Sequence, residues 1–141
     1  MTKERLRNYL DLKKEQAQLR QQLETIEAAL YSPKAQRLTG MPSSPSHGNA
    51  TEDMAARHLE LMDRYRAKMA EMAAEQLAIE EAIEALEPTE RMLLRYRYID
   101  GLAWEEVCVK MNYSWRQTHR MHSKALEGLK RLEDERGNGC A

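Results

Sequence analysis

The stretch Leu86–Leu132, LEPTERMLLRYRYIDGLAWEEVCVKMNYSWRQTHRMHSKALEGLKRL, decides how the rest of the chain is read. Its punctuation predicts three short helices and two tight turns. Glu87-Pro88 opens the first helix, because proline suits the first helical position, and Glu90 stands where a capping-box acid reaches back to Glu87. Asp100-Gly101 is a stop signal. A two-turn helix over Trp104–Met111 comes next. In Asn112-Tyr113-Ser114, asparagine tolerates the left-handed conformation and serine caps the next helix. The third helix starts at Trp115 and runs to Leu132.

Two helices joined by such a turn, the second with a basic outward face, predict a helix-turn-helix. Val107, Met111, Tyr113, Thr118 and Met121 fall where the two helices must touch, and Cys108 supplies the small side chain at their crossing. Along the third helix Thr118, Met121, Ala125, Leu129 and Leu132 share one face, the expected core side. Trp115, Arg116, His119, Arg120 and Ser123 share an adjoining, outward face, the candidate reader of DNA. Trp104 is expected under the first helix and Trp115 in solvent. His119 and His122 are expected as exposed polar side chains, since no acid or thiol set surrounds them to make a metal site.

LEPTERMLLRYRYIDGLAWEEVCVKMNYS followed by KALEGL resembles region 4 of bacterial sigma factors, and more closely the phage and prophage late-transcription activators of the ArpU/RinA type. SPKAQRLTGMPSSPSHGNATEDM resembles the linker those phage proteins place between two long helices. The resemblance implies an all-α regulator that grips double-stranded DNA. One position departs from the pattern. Trp115 stands where sigma-type units carry a small residue, so no base preference is carried over.

Composition agrees with long helices. The chain of 141 residues has no Phe, few Gly and Pro, and 32% charged residues, a balance that disfavours a sheet-built core. No apolar run approaches a membrane span and the MTKERLRNYLD start is not a signal peptide, so a cytoplasmic place in a bacterial host cell is expected. Cys108 and Cys140 lack metal-ligand spacing. The net charge of −1 is unevenly spread: residues 86–132 hold nine Lys/Arg against six acids, whereas residues 52–85 hold nine acids against four bases. Phosphate attraction therefore belongs to the C-terminal third.

Upstream, Tyr9, Leu12, Gln16, Leu19, Leu23, Ile26 and Leu30 form a heptad stripe on a helix over 3–30. Met62, Tyr65, Met69, Met72, Gln76, Ile79, Ile83 and Leu86 form a second on a helix from Asp53. Folded antiparallel, the stripes predict a register that sets Gln16 against Gln76, Tyr9 against Ile83 and Leu23 against Met69. Leu6, Leu10, Leu59, Ala70, Ala73 and Leu77 flank the seam. A second copy would cover them as a four-helix bundle, or the arm would fold back on the C-terminal unit.

The expected architecture is all-α. A helical hairpin and dimerisation arm spans 1–86, with a connector over 32–51. The helix-turn-helix unit spans 87–132, and a flexible tail 133–141. The expected function is sequence-specific DNA binding by a homodimer, with recognition helix 115–124 in the major groove. Arg116 and Arg120 would read bases or clamp phosphate, and Gln117 and His119 would touch base edges. Trp115 and Ser123 complete the face, and Lys124, Lys130 and Arg131 would hold the backbone. No catalytic constellation and no cofactor site is expected. The alternatives are a phage DNA-packaging recognition subunit and an adaptor that contacts RNA polymerase without binding DNA.

Overall fold

The computed structural model describes residues 1–31 and 45–139, with the backbone alone for 45–49, and every regular element among them is helical. The helices are α1 (Lys3–Leu30), α2 (Pro45–Ile83), α3 (Pro88–Leu94), α4 (Trp104–Met111) and α5 (Trp115–Asn138). A widened turn, Arg95–Ile99, continues α3. The all-α class expected from the sequence is the one found.

Two boundaries and one helix cap differ from expectation. The connector placed over 32–51 falls partly on 32–44, outside the described residues, and partly on α2, which is already helical at Pro45. Helix α5 runs past Leu132 to Asn138, through most of the expected tail. There Glu133 lies 3.0 Å from the Met1 ammonium. At α3, Pro88 holds the first helical position after an extended Glu87, as the residue before a proline prefers, but no side chain caps this end. Glu90 does not reach back. Its buried carboxylate faces Lys124 Nζ at 3.8 Å.

The stop at Asp100-Gly101 forms by a wide, π-type turn. The Asp100 N–H donates to the carbonyl of Arg95, five residues back, at 2.8 Å. Gly101, at φ 72°, reverses the chain so that the Leu102 N–H donates to the Tyr96 carbonyl at 3.0 Å.

Packing divides the chain into two compact units, residues 1–12 with 72–141, and residues 13–71. In the first, Leu6 and Tyr9 of α1 join Ile79, Ile83 and Leu86 against Leu93, Leu94, Tyr98, Val107, Ala125 and Leu129 in one core. Helix α3 packs chiefly on α5. Gly128 of α5 lies under Leu86, in the link before α3: a Cβ at that position would stand 2.9 Å from Leu86 Cδ2. Leu6, expected only to flank the seam, is fully buried here. Arg5 clamps Glu75 with two bonds of 3.0 Å, and the guanidinium holds that carboxyl below its usual range.

In the second unit Leu23 and Leu61 are buried. Gln16 Nε2 donates to the Tyr65 hydroxyl at 3.1 Å, Lys68 Nζ to Glu15 at 2.8 Å, and His58 and Glu27 share a bond of 3.1 Å. In the first unit the Tyr9 hydroxyl donates to Gln76 Oε1 at 3.3 Å. These partners correct the expected register. The Tyr9 hydroxyl reaches Gln76, and each glutamine bonds a tyrosine hydroxyl in place of the other amide. Heptad stripes repeat, so a slip of about one heptad leaves apolar matching nearly unchanged. Which residue faces the partner is corrected too. Lys68 is partly buried, whereas Met69 is 41% exposed. The long stem of Lys68 lets its ammonium reach Glu15 and, at 3.7 Å, Glu71. Leu59 and Leu77 stay largely exposed.

Candidate nucleic-acid interface

Helix α4 ends on Asn112, whose φ of 58° and ψ of 41° are left-handed. Asparagine accepts this geometry at small cost. The Tyr113 N–H returns to the Cys108 carbonyl at 3.1 Å, and the chain turns into α5. Ser114 caps α5: its Oγ accepts from the Gln117 N–H at 3.2 Å, and Gln117 Oε1 accepts from the Ser114 N–H at 3.1 Å. This reciprocal pair is a complete capping box. Both turn residues are used as the sequence predicts. Gln117 stays exposed, with its carbonyl oxygen committed to the cap. The S-x-x-Q spacing carries that signal.

Thr118 is fully buried and satisfies its hydroxyl by donating to the Ser114 carbonyl at 2.9 Å. With Ala125 and Leu129 it forms the expected inner face, while Met121 and Leu132 are only partly covered. His122 completes that face, a correction to the exposed position expected of it. It is buried, shares a 2.8 Å hydrogen bond with the Tyr98 hydroxyl, and meets the Trp104 ring edge-on at 4.7 Å. Burial pushes its pKa down to about 4, with nearby Lys3, His119, Arg97 and Arg7 adding to the effect. Burial also raises Tyr98. The 118-122-125-129 spacing is helical, but histidine's polarity hides it in a hydrophobic pattern.

His119 is also part of the fold. Its ring lies between Trp104, at 4.6 Å, and Trp115, at 4.4 Å. The Arg97 guanidinium covers the Trp104 ring at 4.7 Å, and its Nη1 donates to the Leu102 carbonyl at 2.8 Å. His119 Nε2 is buried and, among the described residues, without a partner. A base-edge contact through that nitrogen does not fit this arrangement. Trp104, expected buried under the first helix, is only partly buried and is covered by Arg97, His119 and His122, whereas Trp115 is 53% exposed as expected.

On the outward side of α5, Trp115, Arg116, Arg120, Ser123, Lys124, Lys130 and Arg131 are all exposed. Arg116 and Arg120 are four residues apart, so they stand one above the other on the same face. Lys124 continues the row, with Glu90 as its neighbour. Elsewhere, Val109 is 79% exposed on α4 beside Leu102, between Glu105 and Lys110. Among the described residues no helix is long and apolar enough to cross a membrane, and no group of three or more His, Cys, Asp or Glu is arranged to hold a metal. No protein family, curated protein or solved structure matches this chain.

Proposed function

We propose that this protein is a sequence-specific, double-stranded-DNA-binding transcription regulator of phage or prophage type, acting in the cytoplasm of a bacterial host. Helices α4 and α5 form a helix-turn-helix, and α5 enters the major groove with Arg116 and Arg120 toward the bases. The carrying observation is the left-handed Asn112 turn leading into a doubly capped α5 whose free side is a row of exposed arginines. Charge supports it: phosphate neutralisation needs Lys and Arg on one surface, and the excess lies in 86–132. The hairpin of α1 and α2 serves as the dimerisation arm, so that two copies grip paired half-sites.

Arg116→Ala and Arg120→Ala should each cost about 1–3 kcal/mol on a selected site. Lys130→Ala should weaken all sequences alike and reduce the salt slope by about one counterion. Titrations on a selected site and on random duplex, across a salt series, test this. If both arginine variants bind the selected site as the parent does, α5 is not the reader. A second reading is favoured by the exposed Val109 with Leu102 beside it, an apolar patch rimmed by Glu105, Glu106 and Lys110 and suited to protein. In that reading the protein is an adaptor to RNA polymerase, and no salt-dependent DNA binding would be measured.

A further inference from the structure

We infer that Trp115 reads the 5-methyl group of a pyrimidine in the major groove, an inference that rests on the duplex-binding function proposed above. Trp115 is the first residue of α5, and the N-terminal residues of a recognition helix are those that meet base edges. Its ring ends a column in which Arg97, Trp104, His119 and Trp115 succeed one another at 4.7, 4.6 and 4.4 Å. The inner end of the column is pinned by the bond from Arg97 to the Leu102 carbonyl. The outer end is a large apolar side chain left 53% exposed. A ring already held by its neighbours loses little conformational freedom when it meets a ligand.

The chemistry of the groove then selects the target. The groups that distinguish the base edges there are hydrogen-bond donors or acceptors, with the C5 methyl of thymine as the apolar exception. An indole face cannot pair with an acceptor and accepts only weakly from a donor, so it would leave either largely desolvated, whereas it gains area against a methyl group. Cytosine methylated at C5 offers the same group at the same place. Arg116 and Arg120 beside the ring supply the polar contacts to neighbouring bases or phosphates, so the ring's contribution is confined to one position.

The test uses the full-length protein and a duplex site selected from a random pool. Each thymine is replaced singly by uracil, which removes the methyl and nothing else. The expected result is a loss of roughly threefold to tenfold at one position of each half-site, the effect of one buried methyl. Trp115→Ala should bind thymine and uracil duplexes alike while keeping its salt dependence and helical content. His119→Ala, which removes the backing of the ring, should reduce the thymine–uracil discrimination and leave binding to random duplex unchanged. At the sensitive position, a cytosine·guanine pair with and without the 5-methyl group separates the two sources. Tighter binding to thymine than to methylated cytosine assigns the site to thymine, and the reverse assigns it to methylated DNA. Duplex binding by the parent protein with no uracil-sensitive position overturns the inference and leaves the DNA-binding function standing, as does a Trp115→Ala protein that keeps the discrimination. Failure of the parent protein to bind any duplex overturns both.

Discussion

His122 holds its place by being neutral. Its imidazole shares a hydrogen bond with Tyr98 and sits against Trp104, and its pKa of about 4 lies below the ordinary 6.5. Between those two values the unfolded chain binds a proton that the folded one refuses. Stability is therefore complete above about pH 6.5 and declines as the pH falls toward 4, by on the order of 2 kcal/mol after allowing for partial solvent access. His122→Gln, which keeps a partner for Tyr98, should flatten that decline in thermal melts at pH 7 and pH 4.5; an equal decline in both proteins would remove His122 as the cause. The Glu75 carboxyl, depressed by Arg5, adds a loss of the same sign at lower pH. At this scale the sequence is legible where the rule is local. Asn112 and Ser114 are readable because left-handed tolerance and capping belong to single residue types. His122, His119 and Gln117 are not, because a polar side chain at helical spacing serves a reader face and a satisfied interior equally well until its partners are known.

Helix α5 depends on its first turn. Ser114→Ala should cost about 1 kcal/mol and Gln117→Ala somewhat less, with the double variant costing less than their sum because one reciprocal motif is lost twice. Denaturant titration of the two single variants and the double decides; strict additivity would mean that the box does not act as a unit. For α1 and α2, the stripes are legible but not their phase. A heptad pattern names the helix faces, and an apolar count prefers Met69 to Lys68. Only the stem-and-ammonium behaviour of lysine, with Glu15 opposite, makes the other choice better. The corrected partners give a test. Gln16→Leu and Tyr65→Phe should show coupling on the order of 0.5–1 kcal/mol, whereas Gln16→Leu and Gln76→Leu should be additive, since they share no partner. Coupling between the two glutamines would restore the register that the stripes suggest.

For the whole molecule, the first unit is more than its C-terminal stretch. Residues 87–132 read as a self-sufficient helix-turn-helix, yet their core is completed by Leu6, Tyr9, Ile79 and Ile83. Long-range closure of this kind leaves no local mark in a sequence, since Leu6 looks like any leucine beside a heptad seam. Leu6→Ala should therefore cost about 2–5 kcal/mol, as truncation of a fully buried leucine does, and should lower the unfolding temperature reported by Trp104 and Trp115 fluorescence. A fluorescence transition that ignores Leu6 would make the C-terminal stretch independent after all. The proposed dimer has its own test: Leu77, 62% exposed on α2, should tolerate Leu77→Glu in helicity while the sedimenting species falls from dimer to monomer.

The wide turn over Arg95–Ile99 can also be considered as a matter of descent. A turn closed five residues back holds one residue more than the α-helical turn it replaces, so it has the form of a single-residue insertion that the helix absorbed without breaking. Removing one residue there would restore a regular helix and rotate the downstream chain by about 100°. Arg97 would leave the face of Trp104, and the column that ends at Trp115 would lose its anchor. The extra residue and the tryptophan should thus be gained or lost together. A relative one residue shorter in this turn is expected to carry a small side chain at the position of Trp115, and to be indifferent to the pyrimidine methyl.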